Sequence, residues 1–248
     1  MTAATLAPPA PPPLQRLTTV ELRKMIDTRA GFWLLMLVLL SAVALVTIVL
    51  AVGEPEDQTL KSLFSGCIQV ISILLPIVGL LLVTSEWSQR TALTTFTLVP
   101  QRSRVVVAKF VASIVLAVVA VLLCLVAAAG GNLIAGGSWS FELSHLATGA
   151  LYEVISMLGA LALGLLLLYS PLAIVTYFVL PAVVGIGVDV VKALREPSAW
   201  FDPSQSTTPL AENAMAGDDW AKLGVTVAIW VGLPLLLGLL RLRRHELK

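Results

Sequence analysis

Apolar and polar residues are segregated along this chain into blocks. Six blocks, residues 31–52, 63–83, 105–129, 146–168, 171–188 and 223–240, are long and apolar enough to be helices crossing a hydrocarbon core of about 30 Å, which takes roughly 17–25 residues at about 1.5 Å each. Together they take up about half the chain, and the polar stretches between them are too short for a separate catalytic domain. The pattern predicts an all-α integral membrane protein with six transmembrane helices.

Ahead of the first block the periodicity changes. Over residues 17–29, Leu22, Met25 and Ile26, followed by Trp33, keep a helical spacing, while Glu21, Lys24, Asp27 and Arg29 take other faces. This predicts an N-terminal amphipathic interfacial helix lying on the membrane surface. Before it, Pro8, Pro9, Pro11, Pro12 and Pro13 make residues 1–13 a disordered, polyproline-like tail, although a PxxP ligand would use the same residues. The tail has neither the basic n-region nor the apolar h-region of a cleavable signal peptide, so insertion is expected to begin with a retained helix.

Composition sharpens the class. Hydrophobic residues make up 58% and charged residues 12%, against roughly 45–50% and about 25% in soluble domains, so there is too little charge to coat a water-facing globule. A net charge of +1 gives no basic excess for nucleic acid. Position matters more than the sum. Arg16, Arg23, Lys24, Arg29, Arg90, Arg102, Arg104, Lys109, Arg241, Arg243, Arg244 and Lys248 fall on one side of a six-span topology. Lys61, Lys192, Arg195 and Lys222 fall on the other, among Glu54, Glu56, Asp57, Glu142, Glu196, Asp202, Glu212, Asp218 and Asp219. Short Lys/Arg-rich connections stay in the cytoplasm, so both termini are expected there.

The fourth and fifth spans are separated by Tyr169 and Ser170, which makes them a helical hairpin, whereas residues 191–221 form a long external stretch. Its Trp200, Phe201 and Trp220 predict a partly folded cap rather than a disordered loop. Phosphate-loop and HExxH motifs are missing, so the chain is not expected to be an enzyme, to hydrolyse ATP or to bind a cofactor or metal itself. Cys67 and Cys124 lie inside apolar blocks with no metal-binding or disulfide spacing and read as small lipid- or helix-facing residues. Ser138 and His145 have the residue types of an intramembrane protease, but they sit seven residues apart in one connection, not on facing spans.

Glu153 is the conspicuous ionisable residue inside a span. An acid at a helix centre costs about 2.5–3.5 kcal/mol, while the eleven Leu, Ile and Val residues of residues 146–168 return about 0.3–0.6 kcal/mol each, so the span still inserts. Two readings stay open: a functional acid facing a polar cavity, protonated or not, and a structural hydrogen bond to Gln69 or a backbone carbonyl. Gln69 reads as interhelical glue. Pro76, Pro181 and Pro234 each remove a backbone bond within a span and can shape cavities. Gln69, Pro76 and Glu153 are the candidate translocation path. Ser156, Ala160 and Gly164 recur every four residues and allow close helix approach, within the chain or at a subunit interface.

The most informative stretch is EWSQRTALTTFTLVPQRSRVVVAK, from Glu86 to Lys109. Its first half can form a short helix showing Leu93 and Phe96 on one face, ended by Pro100. Such a helix can lie on the bilayer or insert into a partner's groove.

With these residues in view, the sequence from about Leu14 onward resembles the permease subunits of ATP-binding cassette exporters of the second type. The resemblance rests on the arm with Glu21 and Lys24, on Glu86 and Thr91 followed by PQRSR and Lys109, and on the tight SPLAI hairpin. The aromatic external loop and the closing WVGLP with Gly238, Arg241, Arg243 and Arg244 complete it. The uncharged Tyr169–Ser170 turn departs from a family in which a basic residue is common there. The resemblance implies that residues 14–248 are one transmembrane permease domain in the plasma (inner) membrane of a bacterial cell, dimeric with a second copy or a paralogue. Residues 17–29, with Glu21, Lys24 and Arg29, would be the interfacial helix. Residues 87–96 would be the coupling helix, with Glu86, Trp87, Arg90, Thr91, Leu93 and Phe96 coupling to separate ABC ATPase subunits that bind ATP and Mg. The cargo would be a hydrophobic or amphipathic small molecule or lipid. A polytopic scaffold or assembly factor that transports nothing is the alternative.

Overall fold

The computed structural model describes residues 12–89 and 102–244; the tail 1–11, the connection 90–101 with Arg90, Thr91, Leu93 and Phe96, and residues 245–248 lie outside the described residues. Every regular element among the described residues is helical. An N-terminal helix, α1 (Leu14–Asp27), precedes α2 (Arg29–Val52), α3 (Leu60–Ser88), α4 (Arg102–Ala135), α5 (Leu143–Leu167) and α6 (Ser170–Val190). After two short 3₁₀ turns and α7 (Pro203–Ala211), the last span is built from α8 (Asp219–Val227), a π-helical turn (Ala228–Gly232) and α9 (Leu233–Arg244). Among the described residues, six helices are long and apolar enough to cross a membrane, which is the build of a multi-pass membrane protein.

The apolar sequence is distributed so that one helix is central. In α3, 56% of the most apolar window is buried inside the chain, against 11% in α6. Leu63, Phe64, Ile68, Ile71 and Leu75 of α3 form the middle of the core with Met157 and Leu161 of α5. Apolar side chains do not attract one another more than they attract lipid, so close approach of small residues has to supply the contact. It does so along α5: Gly149 meets the Phe64 ring, Gly79 of α3 meets Met157, and a Cβ on Gly164 would stand 3.1 Å from the Leu80 carbonyl oxygen. The Ala160–Gly164 stripe is therefore buried within the chain. The opposite faces of α2, α4 and α6 expose Trp33, Leu40, Ile48, Val126, Val183 and Ile186, a surface suited to hydrocarbon.

Several boundaries differ from the sequence expectation. The second span continues past residue 83 to Ser88; Thr84, Ser85 and Ser88 return their hydroxyls to the carbonyls four residues back, so their polar groups are satisfied inside the helix. Glu86 and Trp87 thus belong to the end of α3, not to a separate helix. The third span continues past residue 129 to Ala135 through Gly130 and Gly131; a side chain at 131 would collide with Val46 of α2, so glycine here permits packing and does not end the helix. The hairpin turn is Leu168 and Tyr169, with Leu168 in the left-handed region at φ 58°. In α1 the buried residues are Glu21 and Met25, while Ile26 is exposed, so Glu21 lies on the inward face rather than among the outward polar positions.

The cap over residues 191–221 is folded. Asp202 caps α7 through Ser204 N–H, the Trp230 indole donates to the Phe201 carbonyl at 2.8 Å, and Leu210 is fully buried. Trp200 and Trp220 stay exposed, so Leu210 and polar contacts hold the cap more than its tryptophans do.

Candidate functional site

The ends of α1, α3, α5 and α9 and the starts of α2, α4 and α6 meet at one pole of the bundle, the pole that carries the 90–101 connection. Among the described residues, four charged side chains converge there. Lys24 of α1 pairs with Glu21 at 2.7 Å and with Glu86 of α3 at 2.6 Å; Lys109 of α4 pairs with Glu21 at 2.7 Å and with Glu86 at 2.9 Å. Lys109 also donates to the Leu82 carbonyl at 3.1 Å. Two acids and two ammoniums therefore share four contacts across three helices. The Glu21, Glu86 and Lys109 side chains are 4%, 9% and 5% exposed, and that of Lys24 is 32% exposed at the rim. Burial pulls the Lys24 pKa down, but the charges and hydrogen bonds of Glu21 and Glu86 outweigh it and hold the ammonium above its ordinary 10.5.

The geometry follows from the sequence at each element. Glu21 and Met25 are one helical turn apart and point inward together. Thr28 interrupts the helix, and its hydroxyl accepts from Gly31 N–H to cap α2. The elbow needs glycine at 31, since any Cβ would collide with the Met25 carbonyl oxygen. Glu86 reaches the cluster because α3 does not stop at 83. Lys109 lies on the inward face of α4 with Val105, Ala108 and Ala112.

Two further contacts tie the α5–α6 hairpin to this pole. Ser170 donates to the Thr84 hydroxyl at 2.8 Å, so the uncharged turn docks on α3. Arg241 of α9 donates to the Leu166 carbonyl at 2.5 Å, which satisfies a carbonyl that the end of α5 leaves unpaired.

Of the residues expected to couple to a partner, Glu86 is in the cluster and Trp87 packs against the core beside it. Among the interfacial-helix residues, Glu21 and Lys24 join the cluster, while Arg29 is exposed at the start of α2. Lys109 was legible only as a basic residue near the third span; the signal for its role was a lone cation inside VVVAKFV, which hydrocarbon does not tolerate unpaired.

The candidate path residues do not come together. Gln69 is exposed on α3, whereas Glu153 and Pro76 are buried in the core. Glu153 makes no hydrogen bond to Gln69 or to a backbone carbonyl; neither of its oxygens has a partner among the described residues. Cys67 and Cys124 are both buried, Cys67 with its thiol toward the Ala42 carbonyl, so they face helices and not lipid. Ser138 bonds Ser140 and His145 bonds Asn213, with no link between serine and histidine.

Among the described residues, two of the cavities stand apart from the core. One, of about 560 Å³, lies between α5, α6, α7 and the last span; Pro181, Pro234, Tyr177 and Trp230 line it, so two of the three intramembrane prolines do border a cavity. The other, of about 750 Å³, lies at the pole with the ionic cluster, between the α1–α2 elbow and the end of α3. Gln69, Pro76 and Glu153 line neither. No protein-family model matches the sequence, and none of the curated proteins does.

Proposed function

We propose that the chain is the permease subunit of an ATP-driven exporter similar to ABC exporters of the second type, moving a hydrophobic or amphipathic compound such as a drug, antibiotic or lipid across a plasma membrane. The observation that carries this reading is the Glu21–Lys24–Glu86–Lys109 cluster. It binds α1 to both helices that border the 90–101 connection, so force applied to that connection reaches the N-terminal helix and two spans as one unit. A partner ATPase that binds ATP and Mg supplies the force, and a second permease subunit completes the pore.

In this reading the cluster pole is cytoplasmic, which the bias of Lys and Arg toward that side of the six-span topology supports. α1 then lies along the inner surface of the bilayer with Arg23 and Asp27 outward. The 90–101 connection, with Arg90, Thr91, Leu93 and Phe96, seats in the ATPase. Closure of the ATPase pair on ATP draws the connection inward, and α3 and α4 follow.

Affinity purification of the tagged chain from its native cell tests the proposal. A nucleotide-hydrolysing subunit is expected to accompany it, and candidate cargo is expected to stimulate hydrolysis in liposomes. Leu93→Asp or Phe96→Asp is expected to leave insertion intact while uncoupling hydrolysis from transport. A chain that never captures an ATPase, or wild-type transport by both variants, overturns the reading.

A further inference from the structure

The cavity at the cluster pole has an amphipathic wall. Val78, Leu81, Leu82 and Met25 give it an apolar floor on the span side, and Lys24, Arg29 and Gln89 stand at its polar end with the hydroxyls of Ser85, Ser88 and Ser170. Its volume, about 750 Å³, falls within the roughly 300–1,000 Å³ of small-molecule sites.

The charges on this wall are unequal. Glu86 is the acid among the described lining residues, and it is already paired with Lys24 and Lys109. Arg29, by contrast, makes no ion pair or hydrogen bond among the described residues and is exposed. The three serine hydroxyls donate elsewhere, to the Leu81 carbonyl, the Thr84 carbonyl and the Thr84 hydroxyl. The donors left for a ligand at the polar end are the Arg29 guanidinium, the Gln89 amide and the rim of the Lys24 ammonium. The first turn of α2 opens on the same wall and adds its positive dipole end. A quaternary ammonium finds no free acid here, whereas a phosphate finds a planar guanidinium suited to it.

We propose that this cavity is a binding site for an anionic phospholipid, with the phosphate on Arg29 and Lys24 and one acyl chain along Val78, Leu81 and Leu82. Its place supports that occupant. Arg29 begins the first span, so the polar end lies at the level where headgroups end and hydrocarbon begins, and the apolar floor runs toward the hydrocarbon. The bound lipid bridges the elbow to the end of α3, beside the ionic cluster. The inference takes from the proposed function only that this pole meets a membrane surface; it does not need an ATPase.

Native mass spectrometry of the delipidated chain, titrated with phosphatidylglycerol, phosphatidylcholine of the same acyl chains, or inorganic phosphate, tests it. Phosphatidylglycerol is expected to bind at least about tenfold more tightly than phosphatidylcholine, whose choline cation sits beside its phosphate and is repelled by Arg29 and Lys24. Arg29→Gln is expected to remove that preference, and Leu81→Trp, which fills the apolar floor without touching a charge, to weaken both lipids. Arg16→Gln, an exposed arginine outside the cavity, should bind as wild type. Equal binding of the two lipids, wild-type behaviour of both Arg29→Gln and Leu81→Trp, or occupancy by inorganic phosphate alone overturns the proposal. A chain that captures an ATPase but shows no lipid preference refutes this inference only, and one with the preference but no ATPase refutes the exporter reading only.

Discussion

Replacing Lys109 with methionine keeps the length and apolar stem of the side chain and removes one charge from a site that is almost closed to water. The Glu21 carboxylate loses its 2.7 Å partner on Oε2, Glu86 loses its 2.9 Å contact, and the Leu82 carbonyl loses its donor. Glu21 is then left with Lys24 alone at a side-chain exposure of 4%. Removing one partner of a buried ion pair costs about 3–5 kcal/mol, because the remaining charge stays desolvated. At roughly 2–4 °C per kcal/mol for a chain of this size, the expected loss is roughly 6–20 °C in Tm.

Glu21→Met alone should cost a similar amount, because Lys24 and Lys109 must then share the single Glu86 carboxylate. The double variant Glu21→Met/Lys109→Met leaves Lys24 paired with Glu86 and no stranded charge, so most of the loss should return; replacing a whole buried pair by apolar groups is often neutral. The chain carries its own reporter for the measurement. Cys67 and Cys124 are both buried, so a thiol-reactive fluorophore reports unfolding without an added label. A Lys109→Met loss below about 1 kcal/mol, the range of a surface pair, or a double variant as unstable as the two single losses summed, would refute the claim that these charges form one buried unit.

The Lys24 ammonium is held above its ordinary 10.5, so its contribution to anchoring α1 is fully present below pH 10.5 and is lost as pH rises through the raised value; thermal unfolding followed by circular dichroism should show Lys24→Met losing its deficit against wild type only above that point. Gly31→Val must displace the elbow against the Met25 carbonyl and is expected to cost about 1–3 kcal/mol, read as lower Tm. Ser170→Ala removes the hydroxyl that bonds Thr84 and should cost about 1 kcal/mol, with faster proteolysis near the hairpin turn as the second readout. Glu153→Met should raise Tm, because both carboxylate oxygens are buried without a partner among the described residues; a fall would mean that the acid is paired in the membrane.

The spans were legible because an unbroken apolar run of about twenty residues matches the thickness of a hydrocarbon core. Their ends were not, because the end of a membrane helix depends on what its polar residues meet. Thr84, Ser85 and Ser88 look like a polar boundary in sequence, yet their hydroxyls are used within the helix and α3 runs on. Gly130 and Gly131 look like a stop, yet Gly131 is where α4 backs onto Val46. Glu21 read as solvent-facing since its partner, Lys109, is 88 residues away. Individual charges can be flagged from a sequence, but the pairing of four of them across three helices is a tertiary fact.

Stability alone does not explain why this pole is built from charges, since apolar residues of similar volume would hold a buried site as well or better. What charges add is discrimination. In hydrocarbon one apolar contact is about as good as another, so α1, α3 and α4 could slide or rotate past each other at little cost if only leucines touched. With each ammonium bridging both carboxylates, separating any one of the three helices breaks at least two short charged contacts at once. At the opposite pole the ion pairs of Lys222, with Asp218 and Asp219, stay within one helical turn, and the link from α3 to the α4–α5 connection is a neutral bond from Leu60 N–H to the Ser138 carbonyl. Among the described residues, charged contacts between different helices are thus concentrated at the cluster pole, whereas neutral contacts such as Asn213 with His145 and Trp230 with Phe201 join the elements at the other. Under the proposed function, work delivered at the 90–101 connection would move the clustered ends of α1, α3 and α4 as a block.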